Sequence, residues 1–177
     1  MAYRRRILVE PHPVLRKVAK KMTALELRLP LTQQLIDDML ETMYAAPGIG
    51  LAAPQVGVSK RLCVVDVGEE EEHKQYVFVN PVLTNFEGEE TAPEGCLSIP
   101  GKIGDVTRAA SCAIAALDRH GKKVRLEASG MLARCMQHEV DHLDGILIVD
   151  KATNIRDTVA VQAGDAEAAK AAREVSI

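Results

Sequence analysis

The stretch from Leu132 to Leu143 restricts the fold more than any other, because two demands fall on one helix. Leu132, Met136, Val140 and Leu143 recur at spacings of four, four and three, the stripe of a helix that packs on a core. The same turns carry His138 and His142, four residues apart and so about 40° apart on one face. Both imidazoles would face inward beside the core, where an unpartnered polar group is costly. Any fold for this chain must bring partners to two buried histidines, and a shared metal ion serves both at once. Gly145 then supplies a helix stop.

A second amphipathic helix is expected over Pro30 to Ala46, where Leu35, Met39 and Met43 lie four apart with Ile36 and Leu40 beside them. Pro47 and Gly48 end it. Between the helices come short β-rich runs at Arg61–Val67, Gln75–Val82, Ser111–Asp118 and Lys122–Glu127, the last two joined by a polar turn at Arg119–Gly121. Ile146–Val149 reads as one more strand, and Glu69–Glu72 as a solvated hairpin tip. The fold class is therefore α+β. At 177 residues one domain is expected, over residues 1–150, followed by an alanine-rich tail or helix over 151–177.

Three Tyr, two Phe and no Trp leave few platforms for stacking bases, and a net charge of −3 gives no basic surplus for phosphates. A dedicated nucleic-acid binder is excluded on that ground, DNA included. The longest apolar run, Cys112–Leu117, is six residues, against the roughly 18 to 20 of a membrane span. Glu10, Pro11 and His12 arrive before any signal-peptide core develops, so a cytoplasmic location is expected. Cys63, Cys96, Cys112 and Cys135 include no CxxC pair, and reduced thiols are the default there.

Three segments carry chemistry. The first is His138-Glu139-Val140-Asp141-His142, in which Glu139 flanks the two histidines and suits taking a proton from a metal-bound water. A hydrolytic site of this kind needs a third protein ligand. The position six residues past His142 is Ile148, and the first downstream Glu is Glu167, inside the tail. Cys135 and His142 would have to bridge about 10.5 Å of helix axis. Cys96 is the better candidate, since Pro93-Glu94-Gly95-Cys96-Leu97-Ser98-Ile99-Pro100 fixes an irregular backbone around one thiol, unlike the strand settings of Cys63 and Cys112. The third segment is Gly48-Ile49-Gly50-Leu51-Ala52-Ala53-Pro54-Gln55, whose glycines admit close backbone approach and whose Gln55 adds an amide donor.

Together Gly48–Gln55, Glu94–Ser98 and Gln137–Gly145 resemble, in order and interval, the three motifs of the peptide deformylases. The resemblance covers roughly Arg6 to Asp150. It implies mixed, largely antiparallel β-sheets around a central metal-bearing HExxH helix, and hydrolysis of the formyl group from the N-formylmethionyl end of new polypeptides. It implies Cys96, His138 and His142 as ligands of one divalent metal, Fe²⁺ first, with Zn²⁺, Ni²⁺ and Co²⁺ as alternatives. Glu139 becomes the general base and acid, while the Gln55 amide and the Leu97 N–H donate to the oxyanion. Gly48, Ile49, Gly50, Met131, Arg134 and Cys135 would shape the substrate site, with the Arg134 stem lining the pocket and its guanidinium reaching water. Glu94 would pair with Arg108 to fix the Cys96 loop.

Where certain bacterial relatives carry a substrate-touching arginine, this chain has Ile103. The resemblance also allows transient ribosome contact, although Ala163–Ile177 holds two basic and three acidic residues. A monomer is expected, or else a dimer. Two other readings of the same residues stay open. One is a zinc endopeptidase with Glu167 as third ligand. The other is a non-catalytic metal-binding domain in which a side chain such as Cys135 closes the coordination sphere.

Overall fold

The computed structural model describes residues 1–68 and 74–158. The expected acidic tip at Glu69–Glu72 and the stretch Ala163–Ile177, with Glu167, lie outside those residues. Three α-helices and eight strands are described: α1 (Ala24–Arg28), α2 (Pro30–Ala45), β1 (Gly50–Ala52), β2 (Leu62–Val65), β3 (Tyr76–Glu87), β4 (Glu90–Gly95), β5 (Lys102–Arg108), β6 (Ser111–Leu117), β7 (Lys123–Ser129), α3 (Gly130–Leu143) and β8 (Thr153–Asp157).

Local chemistry explains the helix boundaries. Thr23 and Glu26 form a reciprocal capping box at the start of α1, an arrangement worth about 1 kcal/mol. Pro30 occupies the first turn of α2, where its missing N–H costs nothing. At the end of α3, Ile146 N–H bonds the Asp141 carbonyl at 2.9 Å and Gly145 N–H the His142 carbonyl at 3.2 Å. Gly145 adopts φ +76° to close this double bond pattern. The last turn of the histidine helix is thereby fixed by its own cap.

The strands form two sheets, one ordered β1-β2-β3-β6-β7 and one ordered β4-β5-β8. Every ladder among the described residues is antiparallel. The expected mixed character reduces to an isolated parallel bridge between Lys20 and Lys60. One apolar core lies between α3 and the larger sheet, with Met136 and Leu143 against Cys63, Val65, Phe78, Cys112 and Ile114. A second packs Ile36, Met39 and Met43 of α2 on Leu51, Leu62, Val64 and Val79. Each such side chain contributes about 1.5–3 kcal/mol on burial, so α3 is held as a rigid element against the sheet.

One expectation is corrected. Ile146–Val149 is not a strand: Ile148–Asp150 forms one 3-10 turn, because the Asp150 carboxylate accepts the Leu147 N–H at 2.8 Å. Leu147 and Ile148 pack there with Leu15, Cys96 and Ile99. The expected boundary at residue 150 falls just before β8, which pairs with β5 through Lys102–Asp157 and Ile103–Arg156. The second sheet was not anticipated, since the sequence Glu-Thr-Ala-Pro-Glu-Gly of β4 carries no apolar alternation.

Candidate active site

The three chemistry-bearing segments meet. Gly48–Gln55 runs from the end of α2 through β1 into a 3-10 turn at Ala53–Val56, Cys96 follows β4, and the two histidines lie on α3. The missing Cβ lets neighbouring side chains come close at two of the contacts. A Cβ on Gly50 would stand 2.3 Å from Glu139 Oε1 and 2.8 Å from Cys135 Sγ, and one on Gly48 would stand 2.9 Å from Leu97 Cδ1. Gln55 makes the third contact, its Nε2 lying 3.3 Å from Ser98 Oγ and 4.0 Å from Cys96 Sγ.

Cys96 Sγ lies 3.2 Å from His142 Nε2, which lies 3.2 Å from His138 Nε2. All three are buried, and their ligand atoms fall within 4.8 Å of one another. Around one metal with bonds of about 2.0–2.3 Å, tetrahedral nitrogen and sulfur ligands stand about 3.3–3.6 Å apart, so the donor set fits such an ion. Burial pushes the Cys96 thiol up to about 12, with the Glu139 charge adding to it and the Ser98 and Ile99 N–H groups opposing it. His142 is held well below the usual imidazole range by burial, then by His138 and Arg108. A neutral His142 imidazole beside a protonated thiol leaves the thiol proton as the one a cation would displace.

Glu139 is fully buried, and neither carboxylate oxygen has a hydrogen-bond partner among the described residues. Burial raises its pKa well above the usual carboxylate range, aided by Glu94 and Asp141 and opposed by Arg108. An unpaired buried carboxyl with raised proton affinity, beside a cluster that could hold a cation, is placed to take up a proton there.

Glu94 organises the wall behind this cluster. Its carboxylate accepts two bonds from Arg108, at 2.7 and 2.9 Å, one from Arg134 at 2.7 Å, and lies 3.1 Å from His138 Nδ1. Burial pushes Glu94 up, but His138 and Arg108 overcome it and hold its pKa at about 2. A carboxylate on Nδ1 fixes the imidazole tautomer that presents Nε2 to a metal. Arg108 continues outward to Asp141 at 2.8 Å.

The expected pairing of Glu94 with Arg108 is present, whereas the expectation for Arg134 is corrected. Its guanidinium does not reach water. It is buried against Glu94 and donates to the Val106 and Glu90 carbonyls at 3.0 and 2.7 Å. A planar fork with five donors takes three fixed acceptors here, which sequence spacing along α3 could not reveal. Cys135 is wholly buried with Sγ 3.7 Å from the Ile49 carbonyl, Ile49 is buried, and Met131 is exposed on the first turn of α3. Ser98, which the sequence reading passed over, is wholly buried with its hydroxyl against Gln55. Its place directly after Cys96-Leu97 was the available signal.

The polypeptide deformylase family model matches residues 4–158. A peptide deformylase of Symbiobacterium thermophilum is 55% identical over 150 residues, covering 85% of this chain and 67% of that protein. One of Pelotomaculum thermopropionicum is 58% identical over 126 residues, covering 71% and 79%. A class I type b peptide deformylase of Acinetobacter baumannii, solved with Met-Ala-Ser bound, superposes with a TM-score of 0.81 at 35% identity, covering 85% and 99%. Neither an endopeptidase nor a non-catalytic metal-binding reading finds support in these likenesses. With its three motifs joined around one donor cluster, the chain belongs to the peptide deformylase family, metal-dependent hydrolases that remove the N-formyl group from nascent peptides.

Proposed function

We propose that Cys96, His138 and His142 hold one divalent cation and that Glu139, Gln55 and Leu97 carry out deformylation beside it. The observation that carries this reading is the convergence of one thiol and two imidazoles within 4.8 Å, next to the unpartnered Glu139 carboxylate. When bound, the cation supplies Lewis-acid charge that makes water a stronger acid and draws electron density from the formyl oxygen. Glu139 takes a proton from the water that adds to the formyl carbon. Gln55 Nε2 and Leu97 N–H donate to the oxygen as it gains charge, each such donor being worth about 2.7–4 kcal/mol. Glu139 then returns the proton to the methionyl nitrogen as the C–N bond breaks. Formate and a free amino terminus leave.

Gly48, Ile49 and Gly50 form the wall that receives the methionyl end, with Cys135 behind Gly50 and Met131 toward the open side. The Acinetobacter baumannii relative holds Met-Ala-Ser, and a peptide of that kind is the product class proposed for this chain. Glu94 and Arg108, joined by Arg134, brace His138 and the loop of Cys96 rather than meet substrate. Ferrous iron is the proposed native metal on the family resemblance, and the same thiolate and two imidazoles would also take Zn²⁺, Ni²⁺ or Co²⁺. One chain supplies every side chain named, so the proposed unit is a monomer, acting in the cytoplasm with transient ribosome contact. No described helix is long and apolar enough to cross a membrane.

The test is metal content and formate release in Cys96→Ala and in the parent protein treated with chelator. Both are expected to lose the metal and the activity together. A Cys96→Ala protein that keeps one metal per chain and full turnover would contradict the ligand assignment and favour a third ligand elsewhere.

A further inference from the structure

We infer that Ser98 is a positioning residue for the reaction, acting through Gln55 by fixing the direction in which the Gln55 amide donates. The inference rests on the reading of Gln55 as an oxyanion donor, and it assigns a role to a side chain outside that reading.

A buried primary amide has one acceptor oxygen and two N–H donors. The Ala52 N–H lies 2.8 Å from Gln55 Oε1, and only the oxygen end of the amide can accept it. That bond decides which end is nitrogen. Gln55 Nε2 then faces Ser98 Oγ at 3.3 Å and the Cys96 sulfur at 4.0 Å. One of the two N–H groups goes to Ser98, which leaves the other directed to the cluster of Cys96, His138 and His142. Gln55 and Ser98 are both wholly buried.

Ser98 itself is held on two further sides. Its carbonyl accepts the Glu10 N–H at 3.0 Å, and its N–H donates to the Cys96 sulfur. The Gln55 carbonyl accepts the Leu8 N–H at 2.8 Å, so the same N-terminal segment ties both partners. The backbone of Ser98 thus serves the thiol and its hydroxyl serves the amide. Ser98→Ala removes the second duty and keeps the first, which separates amide orientation from metal retention.

The experiment is a double-mutant cycle on the metal-loaded protein with a formyl-Met tripeptide, using Ser98→Ala, Gln55→Leu and the pair, with metal content and thermal midpoint measured for each. Removing an oxyanion donor outright costs about 10²–10³ in kcat, and freeing its orientation is expected to cost about tenfold. Ser98→Ala should therefore lower kcat about tenfold, with KM within about twofold and one metal per chain, and should cost nothing further in the Gln55→Leu background. A Ser98→Ala enzyme with parental kcat overturns the inference. So does a Ser98→Ala enzyme that loses its metal, or one whose loss is as large without Gln55, since Ser98 would then act through the Cys96 loop. Parental rates in Gln55→Leu alone would instead overturn the oxyanion reading beneath it.

Discussion

Gly50 and Glu139 occupy adjoining space so closely that a Cβ on the glycine would lie 2.3 Å from the carboxylate oxygen. The glycine therefore sets where the Glu139 carboxylate can stand. It also meets Cys135 Sγ on the same side, at 2.8 Å from the same Cβ position. Neither neighbour can retreat easily, because both are wholly buried on a packed helix.

Gly50→Ala should accordingly displace Glu139 or strain β1. Overpacking of this kind costs about 1–3 kcal/mol, and a misplaced base loses up to the 10²–10⁴ that general acid-base catalysis supplies. The expected result is a folded protein with at least tenfold lower kcat, read from formate release alongside a thermal melt.

Glu94→Ala should damage stability and metal binding at once. It strands the Arg108 and Arg134 guanidiniums in a buried setting, and breaking such a pair costs about 3–5 kcal/mol. It also frees His138 Nδ1, and loss of such an orienting partner costs about 10–100-fold in metal affinity. Urea unfolding and chelator competition measure the two effects. Arg134→Met, which leaves Arg108 on Glu94, should cost less in both.

This ionic wall is also where the sequence was least legible. The helices α2 and α3 were visible because their buried faces are apolar stripes, and β2, β3, β6 and β7 because they are short apolar or alternating runs bounded by polar turns. The inward positions Glu94 and Arg108 of β4 and β5 are charged, so their periodicity carries no hydrophobic signal. Only the fold brings Arg134, forty residues on, to the same carboxylate. The meeting of Cys96, His138 and His142 was, by contrast, readable, since the two histidines share a helix face by spacing alone and the motif around Cys96 supplied the third member. Ser98 was missed because a serine's duty depends on which buried group lies opposite it.

Gly145→Ala should be strongly destabilising for its size. The residue adopts φ +76°, and an added Cβ would stand 2.8 Å from the Arg16 backbone. Alanine at positive φ alone costs more than about 1 kcal/mol, and backbone cannot move as a side-chain tip can. A lowered denaturation midpoint with an unchanged slope is expected.

Asp38 should contribute to acid sensitivity. Its carboxylate is buried, which opposes ionisation, yet the Tyr3 N–H, Gln34 and Arg5 outweigh this and hold its pKa below the ordinary value. The unfolded value is about 3.9, so the stabilisation is complete above that pH and is lost as pH falls through the folded pKa. Asp38→Asn should be less stable than the parent at pH 7, with the gap closing below about pH 4. Urea titrations at a series of pH values measure it.

The central claim is that Glu139 moves the protons of deformylation beside a metal it does not hold. Formate release from a formyl-Met tripeptide by iron-loaded, anaerobically handled Glu139→Ala, with metal content measured on the same sample, tests it most directly. The account predicts one metal per chain and a rate lower by at least about 10². A Glu139→Ala protein that releases formate near the parental rate would contradict it.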